Sequence, residues 1–349
     1  MNATIALLLA QDGLTNGVIY ALLAVAILLV FLVTRVLLVA QGEFVVLGAI
    51  TLAQLQRGQS AGAIWLLGSL AALCILIGGV RSWRAGNARD WLSQSAFCLI
   101  ALAAAIGLAW LSAGPAAPLA LQLLAVICIV APMGPMIYWT AFRDIAHSSI
   151  LTLLFAAVAV HYILQGVMLP LFGPESFRLE PFIQGRIDVG VTRLSLQLLL
   201  IFGVFIALIL ALWLFFRFLI LGKILRATSV NRIGARLVGI SPDMSGAAAF
   251  GLASLIGAIS GILIAPLTTV YYDSGFLLAL KGFVGAVVGG LASFPLAALG
   301  ALLVGLLESL SSFYASALKE SLVFAALIPI LLYMSITHMS GRGGEEHDE

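Results

Sequence analysis

Apolar segments too long for the core of a soluble domain dominate this chain. Many windows match the roughly 20 apolar residues that a membrane-spanning helix needs. Because lipid offers no partners to backbone polar groups, such segments fold as helices. Only 9% of the 349 residues are charged and 62% are hydrophobic, whereas soluble domains are about a quarter charged. The sequence therefore predicts an all-α, polytopic helical membrane protein.

Eleven apolar spans are predicted within one transmembrane domain covering residues 1–349. The count falls to nine if the short second and ninth spans are re-entrant. The spans cover residues 13–34, 44–55, 61–80, 96–111, 119–139, 148–172, 194–220, 246–270, 275–292, 295–310 and 321–338. Residues 81–95 are predicted to form a polar loop, and residues 173–193 an ordered loop outside the membrane. The acidic tail, 341–349, is predicted to be disordered.

The basic residues predict the orientation, because Lys and Arg concentrate on the cytoplasmic side of membrane proteins. If residues 222–243 are cytoplasmic and the spans alternate, most of the 17 Lys and Arg residues lie inside. This arrangement places the N-terminus outside and the C-terminus in the cytoplasm. The net charge of +2 provides no surface for nucleic acid.

The 222–243 segment lies between two apolar spans, and its pattern predicts a short amphipathic helix. Its apolar residues recur at three- and four-residue spacing, so they share a face that basic residues flank. The face consists of Val230, Ile233, Leu237 and Ile240, and the flank of Lys223, Arg226, Arg232 and Arg236. Gly239 is placed to end the helix, and Pro242 cannot continue it.

Two interpretations of the 222–243 segment are open from its residues alone. It can be a basic anchor that lies at the cytoplasmic membrane surface. It can also be a docking helix that presents an apolar ridge, flanked by arginines, to the groove of a soluble partner.

Small residues repeat every three or four positions in two stretches, 252–266 and 282–305. In lipid, such residues let helix backbones approach closely. The second stretch contains Gly285, Gly289, Gly290, Gly300 and Gly305. The Gly289–Gly290 pair and Pro295 predict an interrupted helix pair, which transport proteins use beside a substrate path. Tight packing alone is the alternative for any one of these glycines.

Few charged residues lie within the apolar segments. Glu43 is placed to meet a helix N-terminus or to line a transport pathway. Glu308 is predicted to face protein or water, Lys281 to extend toward the membrane surface, and His161 to be hydrogen-bonded inside the bundle. Catalytic motifs, metal-ligand spacings and nucleotide-binding loops are absent from the sequence. The sequence therefore favours a protein that is not an enzyme and that binds no cofactor or metal.

Four blocks carry a resemblance to a known family. Residues 17–49, 151–175, 222–241 and 277–312 resemble, in order, conserved blocks of the LivH-type permeases of bacterial branched-chain amino-acid ABC importers. The resemblance implies a multi-pass inner-membrane permease subunit for branched-chain or other small hydrophobic amino acids. It implies pairing with a LivM-type permease or a second copy. Further implied partners are two ATP-binding subunits, which hydrolyse the ATP, a periplasmic solute-binding protein and membrane lipid.

The resemblance also implies that the 222–243 segment contacts the ATP-binding subunits. The residues that match the family pattern are Gly222, Arg226, Ala227, Asn231, Ala235 and Gly239, and the periodicity adds Arg232, Ile233, Arg236 and Leu237. The residues expected along the substrate pathway are Tyr20, Gln41, Gly42, Glu43, Gly285, Gly289 and Gly290.

The chain departs from the family pattern at several places. Leu38 and Gln41 replace the usual Asn and His before Gly42-Glu43, and residues 60–118 resemble an inserted pair of spans. Since family relatives also carry urea, amides and other small solutes, these solutes are an alternative cargo. An ion-coupled secondary transporter would need matched intramembrane carboxylates and an internal repeat. A membrane scaffold or receptor would need a soluble module. The sequence shows none of these features.

Overall fold

The computed structural model describes residues 3–85, 88–112, 114, 117–189, 192–291, 293–325, 327–329 and 332. About 80% of the structure is helical, which confirms the predicted fold class. The helices are α1 (Ala3–Thr34), α2 (Gln41–Gln56), α3 (Ala63–Ala85), α4 (Ala88–Ser112), α5 (Leu119–Val130), α6 (Met133–Ile137), α7 (Ile150–Phe172), α8 (Leu196–Phe218), α9 (Ile220–Val230), α10 (Arg232–Leu237), α11 (Pro242–Ile264), α12 (Gly275–Val288), α13 (Phe294–Tyr314) and α14 (Lys319–Ala325). A π-helical turn, Tyr138–Phe142, follows α6, and a 3₁₀ turn, Ser316–Leu318, precedes α14.

Eight helical segments among the described residues are long and apolar enough to cross a membrane. Each of them corresponds to one predicted span. The second and ninth predicted spans correspond to the shorter helices α2 and α12, of 16 and 14 residues. At 1.5 Å per residue these extend about 24 Å and 21 Å, less than the hydrocarbon thickness of about 30 Å. About half of the eleventh span and all of the tail 341–349 lie outside the described residues, so the count of eleven and the orientation stay predictions.

Residues 81–85 and 88–95 of the polar stretch are helical, so the prediction of a loop over them is wrong. Helix α3 continues through Arg81 to Ala85, and α4 begins at Ala88. Polar residues at the end of an apolar helix do not break it, because the helix satisfies its own backbone hydrogen bonds after it leaves the apolar region. The two helices form a hairpin that corresponds to the predicted inserted pair of spans.

The segment 173–193 leads into a small β-hairpin that the sequence analysis did not predict. Strands β1 (Arg186–Val189) and β2 (Thr192–Ser195) pair antiparallel, with Arg186 opposite Ser195 and Val189 opposite Thr192. Four-residue strands give too short an alternation of apolar and polar residues to stand out from a polar loop.

The 222–243 segment contains two helices, so the prediction of a single helix is wrong. The chain breaks between α9 and α10 at Asn231, whose φ and ψ are −148° and 100°. The Asn231 Oδ1 accepts a hydrogen bond of 2.8 Å from the backbone N–H of Gly234, and asparagine is among the preferred residues for this N-cap position. As predicted, the helix ends before Gly239, which has a φ of 85°. Pro242 then begins α11.

The chain divides into two compact units. The terminal unit comprises Met1–Leu28, Ile183–Phe205 and Leu278–Glu349; the central unit comprises Leu29–Phe182 and Ile206–Leu277. In the central unit, α2 packs closely against α11: a Cβ atom placed on Gly261 would lie only 2.1 Å from the carbonyl oxygen of Val45. This contact is the close backbone approach that the small residues predicted.

The terminal unit uses small residues in the same way. A Cβ on Gly285 would lie 2.5 Å from the Cβ of Ala301, and one on Gly305 would lie 2.4 Å from the backbone of Gly13 and Gly17. Helix α13 therefore lies against both α12 and the first part of α1 at distances that only small residues permit.

Candidate functional site

The 222–243 segment presents an apolar ridge on the surface of the central unit. Its side chains are among the most exposed large apolar groups of the described residues. The ridge consists of Val230, Ile233, Leu237 and Val238, which are 81%, 76%, 83% and 75% exposed. Val238 takes the place predicted for Ile240, because α10 ends at Leu237 and the turn at Gly239 comes before Ile240. The opposite side of the segment is held against the protein by buried Leu225, Thr228 and Ala235.

Two of the predicted flanking arginines bind the protein's own chain. The Nη1 of Arg232 donates a hydrogen bond of 2.9 Å to the carbonyl oxygen of Ala146. The Nη2 of Arg236 lies 3.4 Å from the Nε2 of His147. Arg226, in contrast, is exposed on α9. The arginines at 232 and 236 therefore hold the ridge in place, and Arg226 is the one left pointing away from the protein.

The remaining residues of the family pattern have structural positions in this segment. Gly222 is buried, and a Cβ there would lie 2.3 Å from the carbonyl oxygen of Phe215. Ala227 is exposed beside Arg226, Asn231 caps α10, and Gly239 forms the turn after it. Of the ten predicted residues of this segment, Gly222 and Ala235 are buried beneath it and the other eight lie at or near its surface.

Tyr20, the first of the predicted pathway residues, belongs to a buried ionic cluster in the terminal unit. The Tyr20 hydroxyl donates a hydrogen bond of 2.6 Å to Glu308, and the Lys281 Nζ donates one of 2.5 Å to the same carboxylate. Lys281 lies inside the unit, so the prediction that it extends to the membrane surface is wrong: pairing with Glu308 replaces the solvation that the surface would supply. Glu308 faces protein, as predicted.

The predicted helix break is present in the terminal unit. Helix α12 ends at Val288 and α13 begins at Phe294. Gly290, with a φ of 77°, forms the turn, and a Cβ on Gly289 would lie 2.3 Å from the backbone of Ala297. The two glycines allow the chain to reverse directly onto the following helix.

The other predicted pathway residues, Gln41, Gly42 and Glu43, begin α2 in the central unit. The Gln41 Nε2 donates a hydrogen bond of 2.8 Å to the carbonyl oxygen of Ala253, and a Cβ on Gly42 would lie 1.8 Å from the carbonyl oxygen of Gly275. Glu43 lies in the first turn of α2, fully buried. Its Oε1 is 2.8 Å from the Nδ1 of buried His161. Glu43 therefore lies in the first turn of α2 and contacts His161, and its choice between a helix-terminus role and a pathway role stays a prediction.

His161 lies inside the bundle beside a polar partner, as predicted, but neither its pairing with Glu43 nor the pairing of Lys281 with Glu308 was predicted. Each partner is far away in the sequence, and each residue is alone in its own apolar helix. The one signal that could have identified them is the cost of placing an ionisable side chain in lipid, which makes a buried partner the expected outcome.

These features define a class of protein. Helices that span the membrane, an interrupted helix pair and buried ionisable clusters are typical of multi-pass transport proteins. Within the described part of the chain, no group of three or more His, Cys, Asp or Glu residues is placed to hold a metal ion.

Comparison with known proteins identifies the family. The model of the family described as "Branched-chain amino acid transport system / permease component" matches residues 91–333. LivH, the permease protein of the high-affinity branched-chain amino acid transport system of Escherichia coli (strain K12), is 31% identical over 216 residues, which are 60% of this chain and 70% of LivH. BraD of Pseudomonas aeruginosa is 29% identical over 290 residues, which are 81% of this chain and 93% of BraD.

The chain belongs to this family of permease components of branched-chain amino acid transport systems. It is a multi-pass protein of the inner membrane.

Proposed function

We propose that the chain is the permease subunit of an ATP-driven ABC importer for branched-chain or other small hydrophobic amino acids. In this proposal a periplasmic solute-binding protein delivers the amino acid, and two ATP-binding subunits supply the energy. A second permease subunit, or a second copy of this chain, completes the pathway. The names of the relatives support the amino-acid cargo. The chain has no nucleotide-binding loop, so the ATP must be hydrolysed by a partner.

The exposed ridge on the 222–243 segment is the observation that carries the proposal. The end of α9, the six-residue α10 and the residue after it expose four large aliphatic side chains. The Arg232 hydrogen bond and buried residues hold the backbone beneath them. An aliphatic ridge on a fixed helix is suited to the helix-in-groove mode of recognition. Because the segment is already ordered, it loses little conformational entropy when a partner binds. The ordered segment therefore suits a partner that must respond to small movements of the permease.

The alternative role of this segment is a membrane-surface anchor, and it predicts a different order of effects. For a docking helix, a buried aliphatic anchor contributes about 2 kcal/mol or more, whereas an exposed rim charge contributes much less. For an anchor, the basic residues contribute most, through anionic lipid. Leu237 and Arg226 are the matched pair, because both are exposed and neither participates in the hydrogen bonds that hold the segment.

The experiment compares Leu237→Asp with Arg226→Ala in the assembled importer. We expect Leu237→Asp to abolish substrate-stimulated ATP hydrolysis and copurification of the ATP-binding subunit. Arg226→Ala should weaken hydrolysis only partly, and the difference from the unmodified protein should shrink at high salt, because salt already screens the arginine. Normal uptake and normal copurification with Leu237→Asp would overturn the docking assignment.

The cargo needs a separate measurement. Uptake of radiolabelled leucine in cells that carry the complete importer should be inhibited by excess isoleucine and valine. Urea and acetamide, which lack an apolar side chain, should leave the uptake unchanged. Inhibition by urea or acetamide without inhibition by valine would instead assign the chain to the small-amide carriers.

A further inference from the structure

Five residues between the π-helical turn and α7 hold three separate points of the segment that carries the exposed ridge. We call residues 143–147 the anchor strip. It lies in the central unit, and so do all the residues that it contacts. On one side it binds α10 and the start of α11. On the other side it binds the α3–α4 hairpin, the part of the chain that departs most from the family pattern.

The contacts on the ridge side are two hydrogen bonds and one weaker contact. The Ala146 carbonyl accepts the hydrogen bond from Arg232, and His147 lies against Arg236. The Arg143 Nε donates a hydrogen bond of 3.0 Å to the Oδ2 of Asp243, in the first turn of α11. Helix α10 and the turn after it are therefore held near both ends by one short stretch of chain.

The contacts on the hairpin side use the two charged residues of the anchor strip. Arg81, near the end of α3, donates hydrogen bonds of 2.9 Å and 2.6 Å to the Oδ2 of Asp144. Its Nη1 donates a third, of 2.7 Å, to the carbonyl oxygen of Trp139. The Arg143 Nη2 lies 4.0 Å from the Oδ2 of Asp90 in α4. Arg143 thus faces a carboxylate of the hairpin and a carboxylate of α11 at the same time.

We infer that Arg143 is a positioning residue for the ridge, and that it links the α3–α4 hairpin to the 222–243 segment. Its planar guanidinium can bind two carboxylates in fixed directions, which a lysine ammonium cannot do. A shift of the hairpin would change the geometry at Asp90, and Arg143 would transmit the change to Asp243 and so to α10. The identity of the partner that docks on the ridge rests on the proposed function. The link between the hairpin and the 222–243 segment is independent of that proposal.

The environment of Arg143 sets the size of the expected effect. Its side chain is 22% exposed, and those of Asp243 and Asp90 are 40% and 59% exposed. An open cavity of about 330 Å³, lined in part by Arg81, Arg84, Asp90, Arg143 and Asp144, lies beside these ion pairs. Water and salt therefore reach them, and each pair alone stabilises only weakly. The consequence should be local loosening of the segment, not unfolding of the protein.

The first test measures backbone hydrogen exchange in the full-length permease in nanodiscs, without the ATP-binding subunit. Arg143→Gln should speed exchange of the amides in 231–241 about fivefold, while exchange within α7 stays unchanged. Arg84→Gln is the matched control: Arg84 lines the same cavity, but the described residues provide it with no ion-pair partner. Unchanged exchange in 231–241, or an equal rise throughout the chain, would overturn the inference.

Two further measurements guard against a variant that fails to fold. High salt should speed exchange in 231–241 of the unmodified protein and should have little further effect in Arg143→Gln. Combining Arg143→Asp with Asp243→Arg should restore slow exchange relative to Arg143→Asp alone. Failure of both would show that the ion pair does not position the segment.

The second test uses the assembled importer. Arg143→Gln should keep copurification of the ATP-binding subunit and lower the ratio of substrate-stimulated to basal ATP hydrolysis, an effect that a purely structural role would not produce. An unchanged ratio would overturn the positioning role. If Leu237→Asp disproves the docking assignment, the exchange measurements still decide whether the link exists.

Discussion

Lys281 and Glu308 form an ion pair inside the terminal unit, with the Nζ 2.5 Å from the Oε1 and both side chains more than nine-tenths buried. The second oxygen of the carboxylate accepts the hydrogen bond from Tyr20, and the Lys281 ammonium also lies 5.5 Å from the centre of the Tyr20 ring. Three helices, α1, α12 and α13, each contribute one member of this cluster. A charge removed from it would leave its partner in an apolar environment.

The first prediction follows from that arrangement. Lys281→Met should lower the free energy of unfolding by about 3–5 kcal/mol, because it leaves an unpaired buried carboxylate. Adding Glu308→Leu should recover much of the loss, since an apolar pair needs no desolvation of charge. Thermal unfolding of the purified protein in detergent measures both, with exposed Lys223→Met as the control. A Lys281→Met protein as stable as the unmodified one would show that the pair contributes nothing.

The second prediction concerns Glu43 and His161, whose facing atoms are 2.8 Å apart. In a double-mutant cycle, Glu43→Gln and His161→Gln together should cost less than the sum of the single changes, by about 1–3 kcal/mol. If the stability losses of the two single variants add within about 0.5 kcal/mol, the contact contributes no measurable coupling energy.

The same Glu43→Gln protein also separates the two roles predicted for this carboxylate. If Glu43 mainly interacts with the N-terminus of α2, stability falls and the relative uptake of different amino acids is unchanged. If it lines the pathway, uptake changes even where the amount of folded protein is matched.

The helices were predictable from the sequence, and the places where they end were less so. Long apolar segments specify helices because lipid allows little else, and the break at Gly289–Gly290 was visible in the chain itself. The polar residues 81–95 suggested a loop instead, although polarity marks the edge of the apolar region and not the end of a helix. Asn231 interrupts a pattern that still repeats at helical spacing, and no periodicity argument detects such a break.

The site was predictable only in part. The apolar side chains of the ridge could be selected from their spacing. The roles of Arg232 and Arg236 could not, because their partners at 146 and 147 lie more than 80 residues away in the sequence. The Glu43–His161 pair is also distant in the sequence, and the members of the Lys281–Glu308 pair, 27 residues apart, lie in two different helices. Tertiary packing decides which isolated charges meet, and a single sequence contains no record of it.

The third prediction tests the close approach of two backbones in the central unit. Gly42→Ala places a methyl group 1.8 Å from the carbonyl oxygen of Gly275, so the backbone must move. We expect a loss of at least about 1–3 kcal/mol in stability, with a matching fall in folded protein. Gly166→Ala is the matched control: Gly166 lies in α7 with no atom within 4 Å of a Cβ, so alanine there should be neutral or stabilise by up to about 1 kcal/mol. Equal stability of the two variants would contradict the packing of α2 against the start of α12.

The last prediction tests the orientation of the protein in the membrane by labelling one residue at each end of a single helix. Ser148 and Ser176 are both exposed and flank α7, the 23-residue apolar helix Ile150–Phe172. At 1.5 Å per residue this helix extends about 34 Å, enough to cross the hydrocarbon region. In a protein with Cys74, Cys98 and Cys128 replaced, Ser176→Cys should react with a membrane-impermeant thiol reagent added outside intact cells, or outside spheroplasts if the outer membrane blocks it. Ser148→Cys should react only after the inner membrane is opened, because it adjoins the anchor strip on the predicted cytoplasmic side.

Labelling of Ser148→Cys but not Ser176→Cys from outside would reverse the orientation and would place the ridge out of reach of any ATP-binding subunit. Labelling of both would show that α7 does not span the membrane.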